Sequence, residues 1–264
     1  MGAWLCVAFV LALTVMTGCS TSSLYNWRVR TNSTPLPPSF DRNVLYREPV
    51  AIFGGITTGA LRGNEVPVAY YLSDVLKKVA SNMTVIDSRE TVTRINEHGL
   101  AAEYMQMRAE SELTNMLSRE ALRKFKPAIG ARYVFQPRLA AFTQIMYDRW
   151  SVPAFDIRVS QTRAGIMRLS LELWDMDSGA LIWQSSAEAV ASSEAVSQDP
   201  VFFEDVARVA VGSVLSDLLN GKTSSEYTPL NSFLDQLIQL PSAFTQSDKP
   251  TQPESDKATQ PVKE

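Results

Sequence analysis

The sequence predicts an α/β domain, a mixed sheet with helices packed on it and antiparallel hairpins towards the C-terminus. Three observations predict it. Short apolar runs at 49–53 and 83–87 alternate with stretches of helical period, the pattern of strands separated by helices. From residue 131 the period drops to two and holds through a series of extended segments. A strongly punctuated helix then follows over 200–219.

The chain opens on an unbroken apolar run, Ala3 to Met16, of 14 residues. A spanning helix needs roughly 20 residues, so the run reads as the apolar core of an export signal. Met1 to Trp4 contain no Lys or Arg, a departure from the usual signal. Met16-Thr17-Gly18-Cys19 resembles the lipobox of bacterial lipoproteins: an aliphatic residue, two small residues and the acceptor cysteine. That resemblance implies removal of 1–18 and acylation of Cys19 on its sulfur and its amine. Ser20, where an acid would mark retention, implies sorting to the outer membrane with the domain facing the periplasm. The competing reading is an ordinary signal peptide in which Cys19 is incidental. Each buried acyl methylene is worth about 0.8 kcal/mol and stable anchoring takes more than one chain, so a triacylated Cys19 holds the protein on the membrane.

Residues 19–48 carry Pro35, Pro37 and Pro38 among Ser, Thr and Asn and read as a lipidated, extended tether. Tyr25, Trp27 and Phe40 are unusual in a tether and either dock on the domain or lipid surface or do nothing in particular. The domain itself is expected over 49–221. PVAIF at 49–53 is a buried strand, and the loop GGITTGALRGNEVP follows. Leu72, Val75, Leu76 and Val79 share one helical face and predict a helix over 67–81. MTVID at 83–87 is a second strand. Asp87 and Glu90 form a capping box for a helix that turns Val92 and Ile95 inward and stops at Gly99. One long helical stretch is predicted over 101–126. In it Leu113, Met116, Leu117, Ala121 and Phe125 hold the period, Glu120 and Lys124 pair on the wet side, and Pro127 and Gly130 end it.

ARYVFQPRLAAF, FDIRVSQ, GIMRLSLELW and ALIWQSSAEAV all read as extended. Met167, Leu169, Leu171 and Leu173 alternate with Arg168, Ser170, Glu172 and Trp174, giving one dry face, and Asp177-Ser178-Gly179 turns the hairpin. The stretch 140–165 shows no clean alternation. Asp199 is the expected N-cap of the last helix and Pro200 its first residue. Its stripe runs through Phe203, Ala207, Ala210, Val214 and Leu218, and Gly221 stops it. The segment 222–245 contains a short amphipathic piece at 229–239. The tail 246–264 is polar and Pro-containing, the composition of a disordered segment.

Loss of 1–18 leaves 246 residues, ample for a hydrophobic core. Cys6 leaves with the signal and Cys19 is taken up by lipid, so no disulfide is expected and the fold rests on its core. With 25 basic and 28 acidic residues, net −3, the chain has no large basic field, which excludes nucleic acid as a partner.

The stretch VAIFGG…LSDVLKKVASNMTVIDSRETVTRINEHGL, then IGARYVFQPRL, then LSLELWDMDSGALIW, is similar to a group of periplasmic lipoprotein domains. These are the curli-secretion type, the penicillin-binding-protein activators and the N-terminal domain of the Tol-Pal system's propeller protein. The resemblance covers about 50–220, and it implies the fold and the compartment. The activities it brings differ: secretion pores, activators of cell-wall synthases and structural adaptors. A pore needs inserted strands of roughly 9–11 residues with one lipid-facing row, which the irregular 140–165 stretch does not offer.

Residues with the look of chemistry mostly resolve into structure. Gly54 to Leu61 follows a strand and precedes a helix, but it lacks the Lys and Ser or Thr that a phosphate loop needs. Asp175 to Gly179 has the look of a calcium loop, yet Ser186 stands where a bidentate Glu is required. His98 is the sole histidine, too little for a metal site or a supported triad. Asp175 with Asp177, or Glu204 with Asp205, serve acid-base chemistry only where a pocket raises one pKa. No cofactor, metal or catalytic residue is therefore expected.

The hairpin leaves two candidates for partner binding. If the four alternating apolar residues from Met167 to Leu173 face the core, Trp174 lies on the opposite face, and on the returning strand Ile182 alternates with Leu181 and Trp183. A large apolar residue on an outer face is either covered by a helix or kept for another molecule. The expectation is a non-enzymatic adaptor or activator binding another envelope protein, self-association remaining open. The alternatives are a subunit of a secretion complex or pore, and an envelope hydrolase with unrecognised carboxylates.

Overall fold

The structure, a computed structural model, describes residues 25–152, 157–193 and 201–227. Cys19 and the signal, the 229–239 piece, the 246–264 tail and Asp199 with Pro200 lie outside these.

Eight strands form one open mixed sheet flanked by six α-helices among the described residues. In chain order these are β1 (Tyr25–Ser33), α1 (Val44–Arg47), β2 (Val50–Ile52), β3 (Ile56–Thr57), α2 (Glu65–Val79), β4 (Val85–Ile86), α3 (Ser88–Glu97), α4 (Ala101–Thr114) and α5 (Arg119–Ile129). They continue with β5 (Tyr133–Val152), β6 (Ile157–Asp175), β7 (Ala180–Ser193), α6 (Phe203–Asn220) and β8 (Ser224–Tyr227). Across the sheet the order is β4-β2-β5-β6-β7-β1-β8, with β3 beside β5. The β2, β3 and β4 pairings are parallel and the rest antiparallel.

The alternating row Met167, Leu169, Leu171, Leu173 packs with α2 and α6 in one core. On the other face a second core gathers Phe53, Ile95, Tyr104, Met107, Leu122, Phe125, Val134 and Trp174 beneath α3, α4 and α5. Because helices lie on both faces here, β2 is buried at every position and shows no alternation.

The expected tether is part of the fold. β1 pairs with β7 along its whole length and with β8 over Val29–Asn32. Trp27, Val29, Thr31 and Ser33 point into the core while Arg28, Arg30 and Asn32 face water. Leu45 of α1 is buried too, and Phe40 sets its ring edge-on to Tyr133 at 5.6 Å. The strand escaped recognition because two of its four inward residues are hydroxyl-bearing. A buried carboxylate on α6, Asp217, satisfies them: Thr31 Oγ1 donates at 2.5 Å, Ser33 Oγ at 3.1 Å and, from β8, Ser225 Oγ at 2.6 Å. That bond also explains why the fold runs past Gly221 to Tyr227.

The predicted helix over 101–126 is two helices. Asn115 adopts the left-handed conformation (φ 57°) and ends α4, and Ser118 then caps α5 by accepting from Ala121 N–H. Pro127 lies inside α5, and Gly130 (φ 75°) ends it. Near a C-terminus the proline forfeits a single backbone bond, and Phe125, Ala128 and Ile129 are buried around it. The last helix begins at Phe203, with Phe202 at its N-cap, later than Pro200 predicts, while its stripe and its stop at Gly221 are as expected. The 54–66 loop contains β3 and a short 3-10 turn. Of the irregular 140–165 stretch, residues 140–152 and 157–165 belong to two long paired strands, and register shifts at Leu139/Ala141, Asp148/Trp150 and Trp150/Ser151 interrupt the alternation there.

Candidate interaction surfaces

The second core is tied together by polar groups. Arg138 of β5 donates to Glu172 of β6 at 2.8 Å, and the same guanidinium donates to the carbonyl and hydroxyl of Ser111 on α4 at 3.1 and 2.6 Å. Trp174 Nε1 donates to the other oxygen of Glu172 at 2.9 Å. Trp174 is 5% exposed, so of the two roles open to it the structure gives it the covered one. Ile182 sits at a bulge between the Leu173–Trp183 and Trp174–Leu181 pairs and packs, half-buried, against the first core.

Gly54 and Gly55 end β2 in a similarly closed arrangement. Tyr104 Oη accepts from Gly54 N–H (3.1 Å), Arg108 donates to both glycine carbonyls (2.9 and 2.7 Å), and Gln136 donates to that of Gly54 (3.0 Å). A Cβ on Gly55 would stand 2.7 Å from the backbone oxygen of Glu65. Gly55 thus serves close approach of the chain to α2 and Gly54 to Arg108 of α4, and their polar groups are engaged by α4 and β5.

Asp175 keeps its charge within the hairpin. Burial alone would raise its carboxyl, but the Asp177 N–H, the Arg132 guanidinium and the Ser178 hydroxyl together hold it below the usual value. The Asp205 carboxyl is raised, by burial first and then by Glu204 beside it. Glu204 in turn accepts from Tyr71 Oη at 3.2 Å. His98 caps α3, its Nδ1 2.8 Å from the Arg94 carbonyl.

Besides scattered exposed apolar residues such as Val66 and Tyr70 on α2 and Met146 on β5, two open surfaces are continuous. The first is the sheet face over β6, β7, β1 and β8. There Arg168, Glu188, Arg30 and Glu226 stand side by side across the strands, alternating in charge. Arg168 bonds Glu188 at 2.7 Å and Arg30 bonds Glu226 at 3.2 Å. A groove of about 560 Å³ runs among Arg30, Arg168, Glu188, Asn32 and Ser186, with Ala140, Leu169 and Ala187 also in its lining. This is an antiparallel sheet with one wetted face, its charges satisfied by one another.

The second surface is the outside of α4. Tyr104, Met107 and Ser111 face inward. Ala102, Met105, Ala109 and Leu113 recur at helical spacing on the opposite side, all exposed. Met105 is 67% exposed, Leu113 87%, and Met116 just beyond the helix 64%. Burying a Met or Leu side chain is worth about 1.5–3 kcal/mol, which the isolated domain forgoes at each. A helix apolar on both sides normally lies inside a larger body; here one side has no cover among the described residues. The outer residues offered a signal in the sequence, since 102, 105, 109 and 113 hold a period of their own. It was hidden because Leu113 and Met116 also fit the stripe of one continuous 101–126 helix.

No family model matches the chain, and no curated protein matches it in sequence. Among solved structures it is similar to the PelC dodecamer from Paraburkholderia phytofirmans, with 16% identity over 72% of this chain and 96% of that one and a TM-score of 0.39. It is similar to lipoprotein GNA1162 from Neisseria meningitidis, with 10% identity over 66% and 96% and a TM-score of 0.37. It is also similar to the LpoB C-terminal domain from Salmonella enterica, with 16% identity over 56% and 98% and a TM-score of 0.32. These values describe a loose likeness of arrangement, and no residue's role is carried across from them.

Proposed function

We propose that this chain is a lipid-anchored lipoprotein on the periplasmic side of the outer membrane, acting without catalysis as an adaptor or activator that binds another envelope protein. The observation that carries the reading is the uncovered apolar side of α4. Its inner side is bonded to the sheet through Ser111 and Arg138 and to the β2 end through Arg108, so the outer stripe is presented on a fixed support. The polar sheet face, with its charges already paired, has no such deficit.

The anchor reading rests on Met16 to Cys19. With β1 beginning at Tyr25, six residue steps separate Cys19 from the sheet, and these span about 20 Å at most. The domain is then held close to the lipid headgroups, and its partner is one reachable there. The test is the mass of the full-length chain extracted from membranes in mild detergent. A complex with a different protein is expected. A ring of identical copies would favour a secretion subunit instead, and a free monomer at native abundance would count against both.

A further inference from the structure

We infer that the outer face of α4 receives a helix of another protein whose own apolar stripe is flanked by Lys or Arg. This rests on the adaptor reading and specifies the chemistry of the partner.

The shape comes from α4 itself. From Ala102 to Leu113 the stripe spans three turns, about 16 Å, and a second helix laid along it meets each residue with its own i, i+3, i+4 and i+7 positions. The charge comes from the borders of the stripe. By helical spacing Glu112 lies on one side and Glu103 and Glu110 on the other. The shallow groove between α4 and α5, about 120 Å³, is lined by Glu103, Glu110 and Glu120 with Lys124 as its cation. Lys124 is already bonded to Glu120 at 3.1 Å. Arg108, the basic residue of α4, points inward to the carbonyls of Gly54 and Gly55. The rim of the apolar stripe is therefore acidic.

Other occupants fit that rim poorly. A second copy related by a twofold axis would lay two α4 helices antiparallel with like flanks facing, which brings Glu103 of each towards Glu110 of the other, while Lys124 beside them is already bonded to Glu120. A lipid surface selects helices whose apolar face is bordered by Lys and Arg, the reverse of this one. The chain's own 229–239 piece starts two residues after Tyr227, a reach of about 7 Å. β8 lies four strand spacings from β5, about 19 Å, and 228–240 carries one acid and no base.

The experiment titrates the purified full-length chain with two synthetic amphipathic helical peptides, one with a Leu stripe and Lys flanks, the other with the same stripe and Glu flanks. The Lys peptide should bind and the Glu peptide should not. Binding should fall about tenfold or more in Met105→Ser/Leu113→Ser, which alters exposed residues and leaves the melting temperature unchanged. Glu110→Lys/Glu112→Lys should exchange the preference, accepting the Glu peptide and losing the Lys peptide. Equal binding of both peptides, no binding of the Lys peptide, or indifference to either double variant would overturn the inference, as would self-association abolished by Met105→Ser/Leu113→Ser or binding to phosphatidylglycerol vesicles through the same residues. The adaptor reading fails separately: if a heteromeric complex is recovered from membranes and survives Met105→Ser/Leu113→Ser, the partner lies elsewhere on the domain, whereas if none is recovered the adaptor reading itself falls.

Discussion

Glu172, on the face of β6 opposite the leucines, is a buried carboxylate divided between a guanidinium and an indole. Removing one member of such a buried pair leaves the other unpaired, at a cost of about 3–5 kcal/mol. Arg138→Ala should therefore destabilise the domain by that order in chemical denaturation, and a loss under 1 kcal/mol would contradict the pairing. Trp174→Ala should cost about 3–5 kcal/mol as a core truncation. Asp175 makes a prediction in pH. Its folded pKa is depressed, so its contribution is complete above the ordinary aspartate value of about 3.9 and is lost as pH falls through the lower folded value. The stability gap between the native chain and Asp175→Asn should be constant above about pH 5 and shrink below pH 4. A gap that stays constant to pH 2 would show that the carboxylate gains nothing from the Asp177 N–H, Arg132 and Ser178. At this scale the sequence was legible where one residue decides a local geometry. Asp87 accepts from Glu90 N–H, Glu120 pairs with Lys124, and Gly179 takes φ 67° in the hairpin turn. For Trp174 the sequence offered cover by a helix as one of two readings but not which helices, because the cover comes from more than 40 residues earlier in the chain.

Elements were legible where the inward residues are apolar and misread where they are not. β6 showed its face because all four of its alternating residues in the first core are Met or Leu. β1 did not, since Thr31 and Ser33 are made buriable by Asp217, a partner nearly 190 residues away. Even so, Trp27-Arg28-Val29-Arg30-Thr31 has the alternation of a half-buried strand, a signal that the nearby prolines mask. The consequence is testable. A chain beginning at residue 49 lacks a strand buried between β7 and β8 and should not fold, whereas one beginning at residue 24 should retain native stability. Val29, fully buried, should not tolerate Asp, since the charge would have no partner. Asp217→Ala should cost about 1–3 kcal/mol by leaving hydroxyls of β1 and β8 without their acceptor. On α4, by contrast, Leu113→Ser should be neutral to stability within about 0.5 kcal/mol.

For the molecule as a whole, the fold class and its two helical layers follow from the pattern of the sequence, while the surface that makes a function of them depends on how α4 is turned. The sheet has one layer of helices complete over the first core and a second layer over only part of the other face. What lies beyond that second layer is wet where charges pair across strands and apolar on the outside of α4. On the reading proposed above, another envelope protein covers this outside in the cell. Photo-crosslinking in intact cells tests it most directly, with the crosslinker placed singly at Leu113 on α4 and at Ser186 on the polar sheet face of the full-length chain. Leu113 should yield a single adduct whose crosslinked peptide is a Lys- or Arg-flanked amphipathic segment of an envelope protein, lost when Met105 is changed to Ser, while Ser186 should yield none. An adduct at Ser186 with none at Leu113 would contradict it.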